Sequence, residues 1–342
     1  MDTEVTKTPS AKPSSPVSTV NWTGIALYTV LAFGISWAIW LGLRALGVPF
    51  TLRVSIGMFG PALAALLVRL LLREGFSDAG LRLVGRGRTG AVRMYLAAYL
   101  IPPILIAAGI GLALVTGIQH WAFAENLQAS ARAIIDTLAR SGQRLPPGYN
   151  AQQLALLNVL ISTVLAFTLG ILFNMIFTFG EEFGWRGYLL PRLSPLGGIY
   201  AAIITGVIWG LWHAPVIVLD GYNYPGHPWL GLGMMVIFTI SLSMIFAWLR
   251  FRSGSVWPST LAHAAINAQA GFGLLLLSRV DSLLGVPLGI IGLIPMIALA
   301  IWLAATGRLK PEPDNVAVPH DSIEPASMWE KPITNNTSEI IL

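Results

Sequence analysis

Cysteine is absent from all 342 residues, which removes disulfides, thiol nucleophiles and thiolate metal sites from consideration. Charge is scarce as well. Asp, Glu, Lys and Arg together make up 11% of the chain, about half the share usual in soluble domains. No Gly-x-Ser-x-Gly elbow surrounds any serine, so a serine acyl-enzyme has no marked nucleophile. No His-Glu-x-x-His run marks a zinc-binding helix. There is no sequence repeat, and the first residues lack the charged-then-apolar pattern of a cleaved signal. Met1–Val20, polar and rich in Ser, Thr and Pro, reads instead as a disordered tail ahead of an uncleaved anchor.

What is present is hydrocarbon-loving. Hydrophobic residues make up 55% of the chain and the mean hydropathy is +0.69. Apolar runs of about 20 residues, the length that crosses roughly 30 Å of hydrocarbon, occur near Trp22–Leu43, Val54–Leu72, Met94–Thr116, Leu154–Phe179, Tyr200–Leu219, Trp229–Leu249, Val256–Leu277 and Leu283–Ala305. The expected fold is all-α, a polytopic membrane protein of about eight transmembrane helices over residues 21–307, with the motifs in 165–270 and tails at 1–20 and 308–342. The fourth run is too long for one straight crossing. The reading favoured here continues its helix through two glutamates to Pro191, near an end where proline is tolerated. Gly117–Ala151 is long and mildly amphipathic and is expected to hold a short surface helix.

The net charge of +5 does not point to nucleic acid, because the arginines sit in short loops where they act as topology signals. Arg69, Arg73, Arg82, Arg86, Arg88 and Arg93 crowd the loop between runs two and three. Placing that loop in the cytoplasm puts fifteen of the 21 basic residues and both termini inside, as in a bacterial plasma membrane.

Charge inside a span is expensive and marks a functional site by default. The stretch Gly180-Glu181-Glu182-Phe183-Gly184-Trp185-Arg186-Gly187 is the clearest case. On a helix, Glu182 and Arg186 are i and i+4 and can pair. Glu181, about 100° around the axis, is left for other work. Two of the five histidines fall inside expected spans. His213 lies in Trp209-Gly-Leu-Trp-His213-Ala-Pro215, where Pro215 is expected to kink the helix just beyond the ring. His263 and Asn267 are i and i+4 on the seventh span and share a face. Taken singly, each of these groups is as well explained by helix packing or a structural salt bridge. Together they are nearly all the strongly polar groups of the last five spans, on three helices that can converge, and a shared polar site among spans four, five and seven is the economical reading. Gly206 and Gly210, a small-xxx-small pair, are read as plain helix packing.

A carboxylate or imidazole can take a proton from water while an imidazole and an amide donate to a developing oxyanion. Zinc held by Glu181, His213 and His263 also stays chemically open, although no spacing signals it and no cofactor is expected.

Glu181-Glu182-x-x-x-Arg186, then Trp209-x-x-x-His213, then His263-x-x-x-Asn267 resembles, in that order, the CPBP (Abi) family of CAAX-protease and bacteriocin-processing intramembrane endopeptidases. The resemblance spans roughly Phe167–Gln269. It implies a glutamate-dependent protease without an obligatory metal, in which Glu181 activates water with His213, His263 and Asn267 form the oxyanion hole, and Glu182 and Arg186 orient the site. Trp209 departs mildly from the pattern, since many members carry Phe there. Implied partners are the lipid bilayer and peptide or protein substrates, including ones lipidated at the carboxyl terminus, for a protein expected to be monomeric. A membrane scaffold or immunity protein of the same family, and a proton-coupled transporter, are the rival readings; no inverted repeat supports the last.

Overall fold

The computed structural model describes residues 19–85 and 88–311; the expected tails fall almost entirely outside them. Asn21 caps the first helix, its side chain accepting from the Gly24 amide at 2.9 Å. From there α1 (Trp22–Ala45), α2 (Phe50–Gly57), α3 (Gly60–Leu71) and α4 (Arg88–Val115) follow. The amphipathic stretch forms α5 (Phe123–Arg140). It leads into α6 (Ala151–Phe167), which starts at a capping box between Asn150 and Gln153. Then come α7 (Leu169–Gly184), a π turn (Trp185–Leu189), α8 (Leu190–Leu193), α9 (Gly198–Trp212) and α10 (Ala214–Asp220). The last stretch supplies α11 (Pro228–Ser253), α12 (Trp257–Gln269), α13 (Phe272–Leu276) and α14 (Ile290–Ala305). No strand occurs among the described residues beyond one isolated bridge, Trp121 to Leu277.

The all-α membrane architecture is as expected, but the count by length differs. Among the described residues five helical stretches are long and apolar enough to cross: Trp22–Ala45, Phe50–Leu71, Gly90–Val115, Gly198–Asp220 and Pro228–Ser253. The bent pair Ala151–Phe167 with Leu169–Leu196, at 55°, makes a sixth if it crosses as one. The seventh expected span stops short as α12, 13 residues, where the turn at Ala270 and Gly271 intervenes and the Gln269 side chain is drawn to the Ala166 carbonyl at 3.3 Å. The eighth loses its first turn and a half because Gly289 is extended, leaving 16 residues in α14. The long fourth run breaks at Thr168 (φ −134°, ψ −113°) before continuing, as expected, through the glutamates.

Helices pack in succession α1, α3, α7, α12, α4, α14, α11 and α9, with α10 returning to α1. One apolar core runs through this arrangement. Exposed leucine, isoleucine, valine and phenylalanine cover the outward faces of α6 and α7, Leu160, Val164, Leu172 and Phe173 among them, while charges lie within. A hydrocarbon solvent demands that inversion.

Charge gathers at the two ends of the bundle. At one, Arg69 donates to Asp78 at 2.7 Å and to the Gly187 carbonyl at 2.8 Å. Arg192 pairs with Asp78 at 3.0 Å and with Glu74, and Arg250 donates to the Asp78 carbonyl at 2.7 Å. At the other end Arg53 reaches Asp220 at 2.7 Å, Arg44 joins the same carboxylate, and His227 meets Asp281 at 2.7 Å. The grouping matches the alternation of loops read from the sequence.

Candidate active site

The site is built from α7 with its π turn, the α9–α10 junction and α12. Gly180 and Gly184 sit one turn apart on α7. A Cβ on the first would lie 2.7 Å from the Met58 carbonyl oxygen, and on the second 2.5 Å from the Pro61 Cβ. Bare backbone on that face lets α7 press against the α2–α3 segment, which fixes the height of the glutamates between the two glycines. Gly206 and Gly210 do the same on α9: their Cβ atoms would meet the Cα of Ile240 at 2.5 Å and of Val236 at 2.7 Å on α11. Their packing role is the one read from the sequence.

Beyond Gly184 the helix widens. A π turn leaves carbonyls without their usual partners four residues on. Two of these are filled from other helices, the Arg186 carbonyl by Arg250 Nε at 3.3 Å and the Gly187 carbonyl by Arg69. At α9 the expected effect of Pro215 is met. Its ring and missing N–H end the helix at Trp212, and His213 (φ −74°, ψ −3°) becomes the junction to α10.

Glu182 and Arg186 form the expected pair, 2.8 Å apart with neither side chain exposed. The same Glu182 oxygen also takes His263 Nδ1 at 3.0 Å, a link the helix-face reading did not contain. The Arg186 guanidinium lies over the rings of Trp209, 4.6 Å from the centroid, and Phe246, at 4.9 Å. Glu181, 3% exposed, has no cationic side chain hydrogen-bonded to it. Its Oε2 accepts the Trp209 indole N–H at 2.6 Å and the Trp185 indole N–H at 3.3 Å.

His213 is half-buried, and its Nδ1 lies 2.9 Å from the Trp209 carbonyl. A carbonyl only accepts, so Nδ1 carries the proton and Nε2 keeps its lone pair. His263 stands edge-on to Trp209, centroids 5.2 Å apart. Glu181, Glu182, Arg186, His213 and His263 are thus gathered around Trp209. Asn267 lies one turn beyond His263 on α12 and is exposed; its side chain makes no hydrogen bond to the described residues.

Among the described residues no three His, Asp or Glu side chains are grouped as a metal ion would require. Tyr222, in the loop after α10, has its phenol pushed up by burial, with the Asn223 hydrogen bond opposing and the Glu181 charge adding. A cavity of about 600 Å³ opens elsewhere, between α5, α6 and the α12–α13 corner. Its lining includes Asn158, Ser162, Ala268 and Gly271 but none of the polar cluster.

The motif residues fall within a stretch with known relatives. Residues 160–269 match the family model described as type II CAAX prenyl endopeptidase Rce1-like. This stretch belongs to the CAAX prenyl endopeptidase family. Over 93 residues the chain is 31% identical to CAAX prenyl protease 2 of Methanococcus maripaludis, a match covering 25% of this chain and 34% of that protein. The chain therefore aligns with about a third of that CAAX protease's length, and the shared third holds α7, α9 and α12.

The sequence reading missed the indole donors. Aromatic-x-x-x-His spacing marks a ring at 209, and only the tryptophan in place of phenylalanine hinted at an N–H directed to Glu181. Nothing in the sequence signalled Trp185.

Proposed function

We propose that the protein is an intramembrane endopeptidase that hydrolyses a peptide bond by direct attack of water. One observation carries this: a buried carboxylate, Glu181, held by neutral indole donors and not neutralised by an arginine, beside two histidines anchored through Nδ1. The family match over 160–269 supports it.

Glu181 and the free Nε2 of His213 share removal of the proton from water, which then attacks the scissile carbonyl. The carbonyl oxygen becomes an oxyanion within reach of His263 Nε2 and the Asn267 amide, the latter unengaged and able to donate. Glu182 holds both Arg186 and His263 through a single oxygen and so fixes the His263 ring. No step requires a metal. The substrate is a peptide or protein, with prenylated carboxyl-terminal tails and peptide or bacteriocin precursors as the classes to test. The end bearing Arg69, Arg192 and Arg250 is proposed to face the cytoplasm.

The test uses purified protein in detergent with quenched fluorogenic peptides, some carrying prenylated tails. Wild type is run beside Glu181→Gln and His263→Ala, with and without a strong chelator. Cleavage lost in both folded variants and indifferent to chelator is the expected result. Full cleavage by Glu181→Gln would overturn the mechanism, and chelator-sensitive cleavage would move it to a metal.

A further inference from the structure

We propose that Trp209 is a positioning residue for the water-activating carboxylate, and that its indole N–H, assisted by that of Trp185, decides which oxygen of Glu181 meets water. The inference rests on the endopeptidase reading. Trp209 is 2% exposed, and its Nε1 lies 2.6 Å from Glu181 Oε2, shorter than most N–H···O bonds. The Trp185 indole approaches the same oxygen at 3.3 Å. With Oε2 taken by two donors, Oε1 is the oxygen left to accept a proton from water. Two donors from α9 and the π turn also hold the carboxylate plane against rotation toward Arg186, which stays with Glu182.

Trp209 reaches the second half of the base as well. Its carbonyl takes His213 Nδ1 at 2.9 Å, so one residue orients the carboxylate through its side chain and the imidazole through its backbone. A single shift of α9 therefore moves both proton acceptors together.

The bland reading is that a buried indole N–H simply takes the nearest acceptor. Trp212, three residues on and 1% exposed, argues against it: its indole N–H has no hydrogen-bond partner. The fold thus leaves one buried indole on this helix unsatisfied while directing the neighbouring one to Glu181.

The test replaces Trp209 with 3-benzothienylalanine, which keeps the fused rings for Arg186 and His263 and the carbonyl for His213 but substitutes sulfur for N–H. Trp209→Phe serves as the genetically encoded counterpart, and Trp185→Phe removes the longer bond. Steady-state cleavage of the peptide that wild type cleaves best is measured, with thermal unfolding alongside. The benzothienyl protein is expected to lose roughly 10- to 100-fold in kcat with KM within about twofold, since a hydrogen bond to a charged group is lost where the reaction occurs. Trp185→Phe should lose less. A benzothienyl protein that folds and keeps kcat within about twofold of wild type overturns the inference, while leaving the endopeptidase reading intact if Glu181→Gln is inactive. Wild type that cleaves nothing overturns the endopeptidase reading and this inference with it.

Discussion

Arg186→Met is the perturbation with the clearest expected cost. Glu182 and Arg186 are both fully buried and 2.8 Å apart. Glu182 Oε2 has no hydrogen-bond partner, and Nε and NH2 of Arg186 have none either. The carboxylate therefore depends on one oxygen, shared by Arg186 and His263. Removing the guanidinium leaves a buried carboxylate with only the imidazole, a loss of about 3–5 kcal/mol for such pairs. At about 2–4 °C per kcal/mol the apparent Tm should fall by roughly 6–20 °C. Glu182→Gln strands the arginine instead and should also destabilise. The double variant removes both charges and keeps an amide oxygen for His263, so it should be more stable than the two single losses added together, by about 1–3 kcal/mol. Recovery is partial, because the guanidinium contacts with Trp209 and Phe246 are lost in any variant lacking Arg186. The assay is thermal unfolding in detergent of all four proteins in one cycle. Additive losses within about 0.5 kcal/mol would refute the pairing.

Three further outcomes follow from local geometry. Gly206→Ala places a Cβ about where Ile240 Cα approaches to 2.5 Å, backbone that cannot swing aside; it should cost about 1–3 kcal/mol in thermal unfolding, and an unchanged melt would show that α9 and α11 slide apart freely. Asn150→Ala removes a capping box and should cost about 1 kcal/mol, seen as faster hydrogen exchange confined to the first turn of α6; unchanged protection there would count against the cap. Asp281 is held below the usual carboxylate range, first by the Leu283 backbone N–H and then by His227. A depressed folded pKa contributes stability above the unfolded value near 3.9 and loses it as pH falls through the folded one. The Tm advantage of wild type over Asp281→Asn should therefore be present at neutral pH and vanish in strong acid, and a difference independent of pH would refute the assignment.

The carboxylate–arginine pair was legible because i,i+4 spacing is enforced by helix geometry alone, and His263 and Asn267 shared α12 for the same reason. The fold class followed from apolar run length. Crossing number did not, because breaks at Thr168, His213 and Ala270 depend on neighbours: a proline ring clash at one, a side chain pulled to another helix at the last. The partner of His263 was equally hidden. Which oxygen an imidazole meets is set by how α7 and α12 dock, through contacts such as Thr178 Oγ1 to the Thr260 carbonyl at 3.2 Å. Trp209 was visible as a ring and invisible as a donor, since spacing records where a side chain starts and not what its far edge touches.

The π turn at Trp185–Leu189 makes this stretch sensitive to chain length in one direction. Such a turn holds one residue more than the α turn it replaces, so the backbone here carries a residue of slack. Deleting one residue would let the segment close into continuous α-helix, yet everything after it would be wound back by about 100°. Glu181 and Glu182 lie upstream and would stay where they are. Arg192 lies downstream and would swing away from Asp78 and Glu74. The surplus residue works as a phase adjuster, keeping the catalytic and the anchoring halves of one helix in step.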